Sequence, residues 1–279
     1  MAVAQLFIDL LDSVGEKGEM LKVLAVISPS KKLDFEQESP IDHSTQYRFS
    51  KQAQTLIEEL KNRTPEDIKK LMKLSDNLAH LNVQRYQDWS AKMTKSNSKQ
   101  ALFAFTGDVY TGLSAQSLEE PQILKAQQSV RILSGLYGLL RPLDRIQPYR
   151  LEMGTRLKVG EAKNLYGFWG SQLTQKLNED ISDTEADLVL NLASQEYFGA
   201  IQKQNINARV VTPIFKDKKN GEYKIISFFA KKARGSMVRY ILDRPIKSIN
   251  DVKSFNYDGY RYCEERSAND EWVFIRDEQ

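Results

Sequence analysis

The chain holds a single cysteine, Cys263, so no internal disulfide forms and the fold must rest on packing alone. A lone thiol suits a reducing cytoplasm. Glu264 and Glu265 follow it, a setting that does nothing to lower a thiol pKa. Histidine is almost as scarce: His43 and His80 lie in no recognisable catalytic motif. With so few His and Cys, no cluster has zinc or iron–sulfur spacing, and Ser–His or Cys–His nucleophilic catalysis has no candidate residues. No apolar run approaches the roughly 18–20 residues of a membrane helix. The opening MAVAQLFIDLLDSV contains Asp9 and Asp12 and lacks the basic start of a signal peptide. There is no Walker pattern, no internal repeat and no proline- or glycine-rich linker. Catalytic residues, a metal site, a cofactor and a membrane partner are therefore not expected.

What is present is enough apolar material for a real core. Of 279 residues, 41% are hydrophobic and 10% aromatic, which excludes a disordered chain. Net charge is only +3, so the overall balance requires no polyanion and local clustering must make that case. Residues 1–19 read as an N-terminal extension in which Phe7, Leu10, Leu11 and Val14 follow helical spacing. Residues 20–279 read as one compact mixed α/β (α+β) domain, a mixed sheet flanked by helices. Buried strands are expected at Leu21–Ile27, Ala101–Phe105, Asp187–Leu192 and Glu271–Arg276. Helices are expected near 51–60, after Thr64-Pro65, after Ser75, after Pro121, over 165–179 and over 230–242. Val210–Phe215 and Tyr223–Phe229 flank Asn220-Gly221, the favoured type I′ pair, and predict a hairpin.

Two stretches concentrate positive charge. From Arg131 to Arg156 five arginines (131, 141, 145, 150 and 156) stand against Asp144 and Glu152. Arginine is suited to bidentate contact with phosphate or carboxylate, although pairing with Asp144 or Glu152 would make some of these structural. Within the stretch, Leu133-Ser-Gly135-Leu136-Tyr-Gly138 approximates the glycine hairpin of a helix-hairpin-helix, whose backbone N–H groups meet nucleic-acid phosphate. A glycine-rich turn between core elements reads the same residues equally well. From Lys216 to Arg244 nine basic residues face three acids. On the helix there, Ala230, Ala233, Met237 and Ile241 share the packing face, opposite Lys231, Lys232 and Arg239, with Arg234 at the border. Gly235 among them would let a phosphate approach. The alternative is an ordinary solvated helix face. A third grouping, Lys31, Asp108, Tyr110 and Thr111, follows two expected buried strands and could bind a phosphorylated small molecule, with turn chemistry as the alternative.

Ile27-Ser-Pro-Ser-Lys-Lys-Leu-Asp34, FTGDVYTGL (105–113), LSGLYGLLRPLDRIQPYRLEMGT (133–155), NLYGFWG (164–170), NLASQEYF (191–198) and SFFAKKARGSMVRYI (227–241) together resemble the bacterial YaaA family. The resemblance begins near Met20 and runs to the C-terminus, with Ser30 and Lys32 replacing the alanine and threonine of the commoner SPAKTLD. It leaves residues 1–19 outside: either an extension, or the product of a start codon placed ahead of Met20. The resemblance implies a cytoplasmic protein of the peroxide-stress response that limits free iron and binds DNA. It also implies a helix-hairpin-helix element and a basic cleft. Combined with the charge clusters, it nominates Lys31, Lys32, Gly135, Gly138, Arg141, Arg145, Arg150, Lys231, Lys232, Arg234 and Arg239 as contacts to double-stranded or branched DNA. The rival expectation is an enzyme acting on a nucleotide or other phosphorylated metabolite at Lys31, Asp108, Tyr110 and Thr111.

Overall fold

The apolar run ending at Ile27 forms an interior strand of the sheet in a computed structural model, which describes residues 20–278. The expected N-terminal helix falls outside those residues. In chain order the strands are β1 (Val23–Ile27), β2 (Lys32–Leu33), β3 (Lys99–Gln100), β4 (Phe105–Thr106), β5 (Val130–Ser134) and β6 (Gly138–Leu140). They continue as β7 (Arg145–Ile146), β8 (Leu188–Leu192), β9 (Arg209–Lys219), β10 (Glu222–Lys224), β11 (Arg261–Tyr262) and β12 (Glu271–Arg276). Eight of these make one mixed sheet in the order β11-β12-β9-β8-β1-β5-β6, with β10 added to β9. The central strands β12, β9, β8, β1 and β5 are parallel, and β6, β10 and β11 pair antiparallel. Leu24 to Ile27 are fully buried, as a parallel strand covered on both faces should be.

Helices form where the caps and apolar stripes indicate. Thr64 caps Pro65–Met72 in a capping box with Asp67. Ser75 takes the N-cap position of Asp76–Asp88 but makes no side-chain cap bond. The expected helix at 165–179 is split at Gly170 into Leu165–Trp169 and Gln172–Thr184. Ala101–Phe105 is not a strand: Ala101–Ala104 is a buried turn of helix between β3 and β4. A four-residue apolar run satisfies either geometry, and here tertiary burial decides. Asn220 and Gly221 have φ of 54° and 83°, the conformation a type I′ turn demands, and join β9 to β10. The hairpin ends sooner than expected, because Ser227 already begins the long helix Ser227–Asp243.

That long helix crosses the helix Asp108–Leu113 backbone against backbone. A Cβ on Gly112 would lie 2.0 Å from the carbonyl oxygen of Lys232, and one on Gly235 would lie 1.7 Å from that of Val109. Gly235 is thus a packing glycine, turned toward a neighbouring helix and not toward a phosphate. At its C-terminal end Lys125 donates to the carbonyls of Ile241, Leu242 and Arg244 at 2.6, 3.2 and 2.8 Å, satisfying the last turn.

Candidate nucleic-acid interface

The chain leaves β1 toward β5 on one side and leaves β8 toward β9 on the other, while β1 and β8 are neighbours. Their carboxyl ends therefore mark a topological switch point, where open parallel sheets form ligand crevices. Ser28 and Ser194 follow these strands and bind each other: the Ser194 N–H donates to Ser28 Oγ at 2.9 Å. Ser194 also caps the short helix Gln195–Phe198. The Tyr110 hydroxyl reaches the Ser28 carbonyl at 3.2 Å. Gly107, at φ +109°, lies so close to this loop that a Cβ would stand 2.8 Å from Ser30 Oγ. Tyr110, Tyr149 and Tyr197 are buried beside one another, and burial pushes their phenols upward, so they remain protonated donors at neutral pH.

Glu152 organises the cations at this edge. Its Oε1 accepts from Lys31 at 2.8 Å and from Arg150 at 2.9 Å. Arg85, half-buried, lies near enough to Arg150 that their mutual repulsion adds to the lowering of its pKa by burial. Glu196 takes the N–H of Gly154 at 2.9 Å. Of the expected small-molecule group, Lys31 thus turns to Glu152 and Tyr110 to Ser28. Thr111 shares with Tyr110 a cavity of about 280 Å³, whose lining includes neither Lys31 nor Asp108. Sequence reasoning did not nominate Arg85, Tyr149, Tyr197 or Glu196; the tyrosines and Glu196 each sit in a motif quoted above, but nothing local marks them.

The arginine stretch is not a helix-hairpin-helix. Ser134 to Gly138 is the turn of the antiparallel β5–β6 hairpin. Gly135 is required because a Cβ there would meet the Leu151 carbonyl oxygen at 2.2 Å, and Gly138 because φ is +73° with Phe49 and Trp169 pressed against it. Nor do its arginines gather on one basic face. Arg131 is buried against Asp180, and Arg141 binds Asp144 at 2.9 Å and the Gln46 carbonyl at 3.0 Å. Arg145 is 8% exposed and clamps Ser98, while Arg150 binds Glu152. On the long helix Arg239 binds Asp243 and Ser117, Lys232 binds Asp258 and Ser236 shares that carboxylate. Arg234 is mostly withdrawn from solvent, which lowers its pKa.

Arg156 is exposed with no ion-pair partner among the described residues, and the other cations that stay available near the site are lysines. β8 stops at Leu192, whereas β9 runs on to Lys219, so the β9–β10 turn stands about 20 Å past the end of β8 at roughly 3.3 Å per residue, with β12 alongside β9 as far as Asp217. Strand alternation points Phe215 and Asp217 inward and Lys216 and Lys218 outward. Inside, Asp217 holds Arg276 and the Tyr260 hydroxyl. Outside, Lys216, Lys218, Lys219, Lys224 and Lys231 have no carboxylate within ion-pairing distance among the described residues. Apolar side chains stand among them: Ile225 is 58% and Phe228 56% exposed. Phe229 lines a shallow depression together with Lys218 and Lys219, and with Asp277 and Glu278 at its edge. The rings of Phe228 and Phe229 meet edge to face at 5.5 Å.

Among the described residues, no group of three or more His, Cys, Asp or Glu side chains is gathered as metal ligands, and no helix is long and apolar enough to cross a membrane. Comparison with known proteins gives a match to the family model described as peroxide stress protein YaaA, over residues 23–266. A UPF0246 protein of Hahella chejuensis is 51% identical over 255 residues, covering 91% of this chain and all of the relative. One from Shewanella woodyi is 49% identical over 256 residues, 92% of this chain and all of that protein. One from Aliivibrio fischeri strain ES114 is 51% identical over 257 residues, 92% of this chain and 99% of its own length.

Proposed function

Because the chain belongs to the YaaA family of peroxide stress proteins, which supports a role in peroxide stress, we propose that it acts there by binding DNA in the cytoplasm through its lysine-bearing edge. The observation that carries this reading is the projecting hairpin with the start of the long helix, five lysines without acid partners interleaved with the exposed Phe228. Lysines contribute phosphate contacts that do not depend on sequence. An exposed aromatic ring offers a stacking surface to a base, a contact worth about 1–3 kcal/mol. Lys32, exposed at the start of β2, adds positive charge just past the carboxyl end of β1, where Lys31 is paired with Glu152. Limiting free iron is proposed as a consequence of this binding, since the ligand set of the described residues does not favour direct chelation.

The test is fluorescence anisotropy with a labelled short duplex. Lys218→Glu combined with Lys231→Glu is expected to weaken binding at least about tenfold at low salt, from lost phosphate contacts and added repulsion. Both side chains reach solvent, so folding should be unaffected. Undiminished affinity would remove the hairpin from the interface.

A second reading, an enzyme acting on a phosphorylated metabolite, is favoured by the switch point, where Lys31 and Arg150 converge on Glu152 and Tyr110 reaches the Ser28 carbonyl. Thermal-shift screening of nucleotides in the wild type and in Lys31→Ala separates the two, because a site at this switch point gives a nucleotide response that Lys31→Ala loses.

A further inference from the structure

A groove of about 550 Å³ opens between the loop around Phe35–Asp42 and the turn at 94–98, away from the hairpin lysines. That is the size of a small-molecule site. Its floor is the β3–β7 ladder, where Gln100 pairs with Arg145 and Lys99 with Ile146. Two buried cations belong to this ladder, Arg145 at 8% and Lys99 at 6% exposure, at positions that alternate across it. Lys99 donates to the Asp34 carbonyl at 3.1 Å, with the Asp34 carboxylate at 3.7 Å. Among the described residues Arg145 has no carboxylate partner. Its Nε and Nη2 donate to Ser98 and to the Thr94 carbonyl, and its Nη1 has no hydrogen-bond partner among the described residues.

The Arg145 guanidinium is largely covered yet faces no anion, and its unused Nη1 is not sealed from solvent, so an oxyanion entering the groove would gain a charge-assisted hydrogen bond there. With two of its three nitrogens already engaged, Arg145 offers a single donor arm, which suits one oxygen of a phosphate better than a bidentate carboxylate. The exposed rim carries Glu36, Glu38 and Asp42, the last paired with Lys95 at 2.8 Å. A duplex would meet those acids before reaching the floor. A small molecule with one phosphate and an uncharged, hydroxyl-bearing body would give the same acids hydrogen bonds to accept. Phe35, Ile41 and Pro148 supply apolar wall for a ring. We propose that this groove binds a nucleotide-sized phosphate monoester, with its phosphate on Arg145.

The probe is adenosine monophosphate, titrated into the full chain by calorimetry with adenosine as the control. Binding is expected for the monophosphate and absent for adenosine. Arg145→Gln should weaken it at least tenfold. Because Arg145 also holds the 94–98 turn, Lys95→Glu, on an exposed side chain at the rim, provides the decisive variant if the first does not fold, with a similar loss expected. Lys31→Ala, at the strand-end crevice, should leave binding unchanged. No binding by the wild type, equal binding by Lys95→Glu, or loss only in Lys31→Ala would each overturn the proposal.

Discussion

Replacing Gly235 with alanine is expected to destabilise the protein by about 2–3 kcal/mol, although the same change in an open helix would gain about 1 kcal/mol. The two tendencies oppose each other and geometry decides between them. The added methyl would stand 1.7 Å from the Val109 carbonyl oxygen and 2.7 Å from the Leu113 nitrogen, both backbone atoms that no rotamer change can move. Relief requires the helices Asp108–Leu113 and Ser227–Asp243 to separate, which opens a close-packed interface. Gly167→Ala is the control. Its added methyl would find nearest neighbours at 3.7 Å, ordinary contact, so that variant should be neutral or slightly stabilising. Urea midpoints measure both. A stabilised Gly235→Ala protein would show that the two helices do not meet as described.

The second large effect is at Asp180. This carboxylate is 4% exposed and takes both Arg48, at 2.6 and 2.9 Å, and Arg131, at 2.7 Å. Asp180→Asn leaves two inward guanidiniums facing a neutral amide, and breaking a buried ion pair in this way costs about 3–5 kcal/mol. Burial alone would raise the Asp180 pKa, but the hydrogen bonds and charges of the two arginines outweigh it and hold the pKa below 3.8. A carboxylate with a depressed folded-state pKa contributes stability above its unfolded value and loses it as pH falls through the folded one. The gap between wild type and Asp180→Asn should therefore be full at neutral pH and shrink below about pH 3.8. Urea denaturation near pH 7 and near pH 3 checks both statements. A gap that widens in acid would refute the ionised triad.

Much of the fold was readable because its signals are local. The apolar run at Val23–Ile27, the Asn220-Gly221 turn and the Thr64 capping box each depend on neighbours within a few residues. The helix at Ala101–Ala104 was misread because a short apolar run has no period to distinguish it. Gly135 and Gly138 carried the spacing of one motif and the geometry of another; what requires them is Leu151, Phe49 and Trp169, which no local pattern names. The arginines misled for a related reason. A count of charge along the chain cannot see that Asp180 reaches Arg131, or that Ser98 reaches Arg145. The lysine excess between Lys216 and Arg244 was legible, but its concentration on a projecting hairpin depends on β9 outrunning β8.

The central claim is that lysines of the projecting edge meet phosphate while Arg131, Arg141, Arg145, Arg150 and Arg239 hold the fold. The slope of log affinity for a short duplex against log salt tests this most directly, since each phosphate contact contributes about 0.9. Lys218→Gln with Lys231→Gln should reduce that slope by about 2, whereas Arg141→Gln with Arg239→Gln should leave it unchanged. A slope that survives loss of the lysines, or falls with loss of the arginines, would contradict the account.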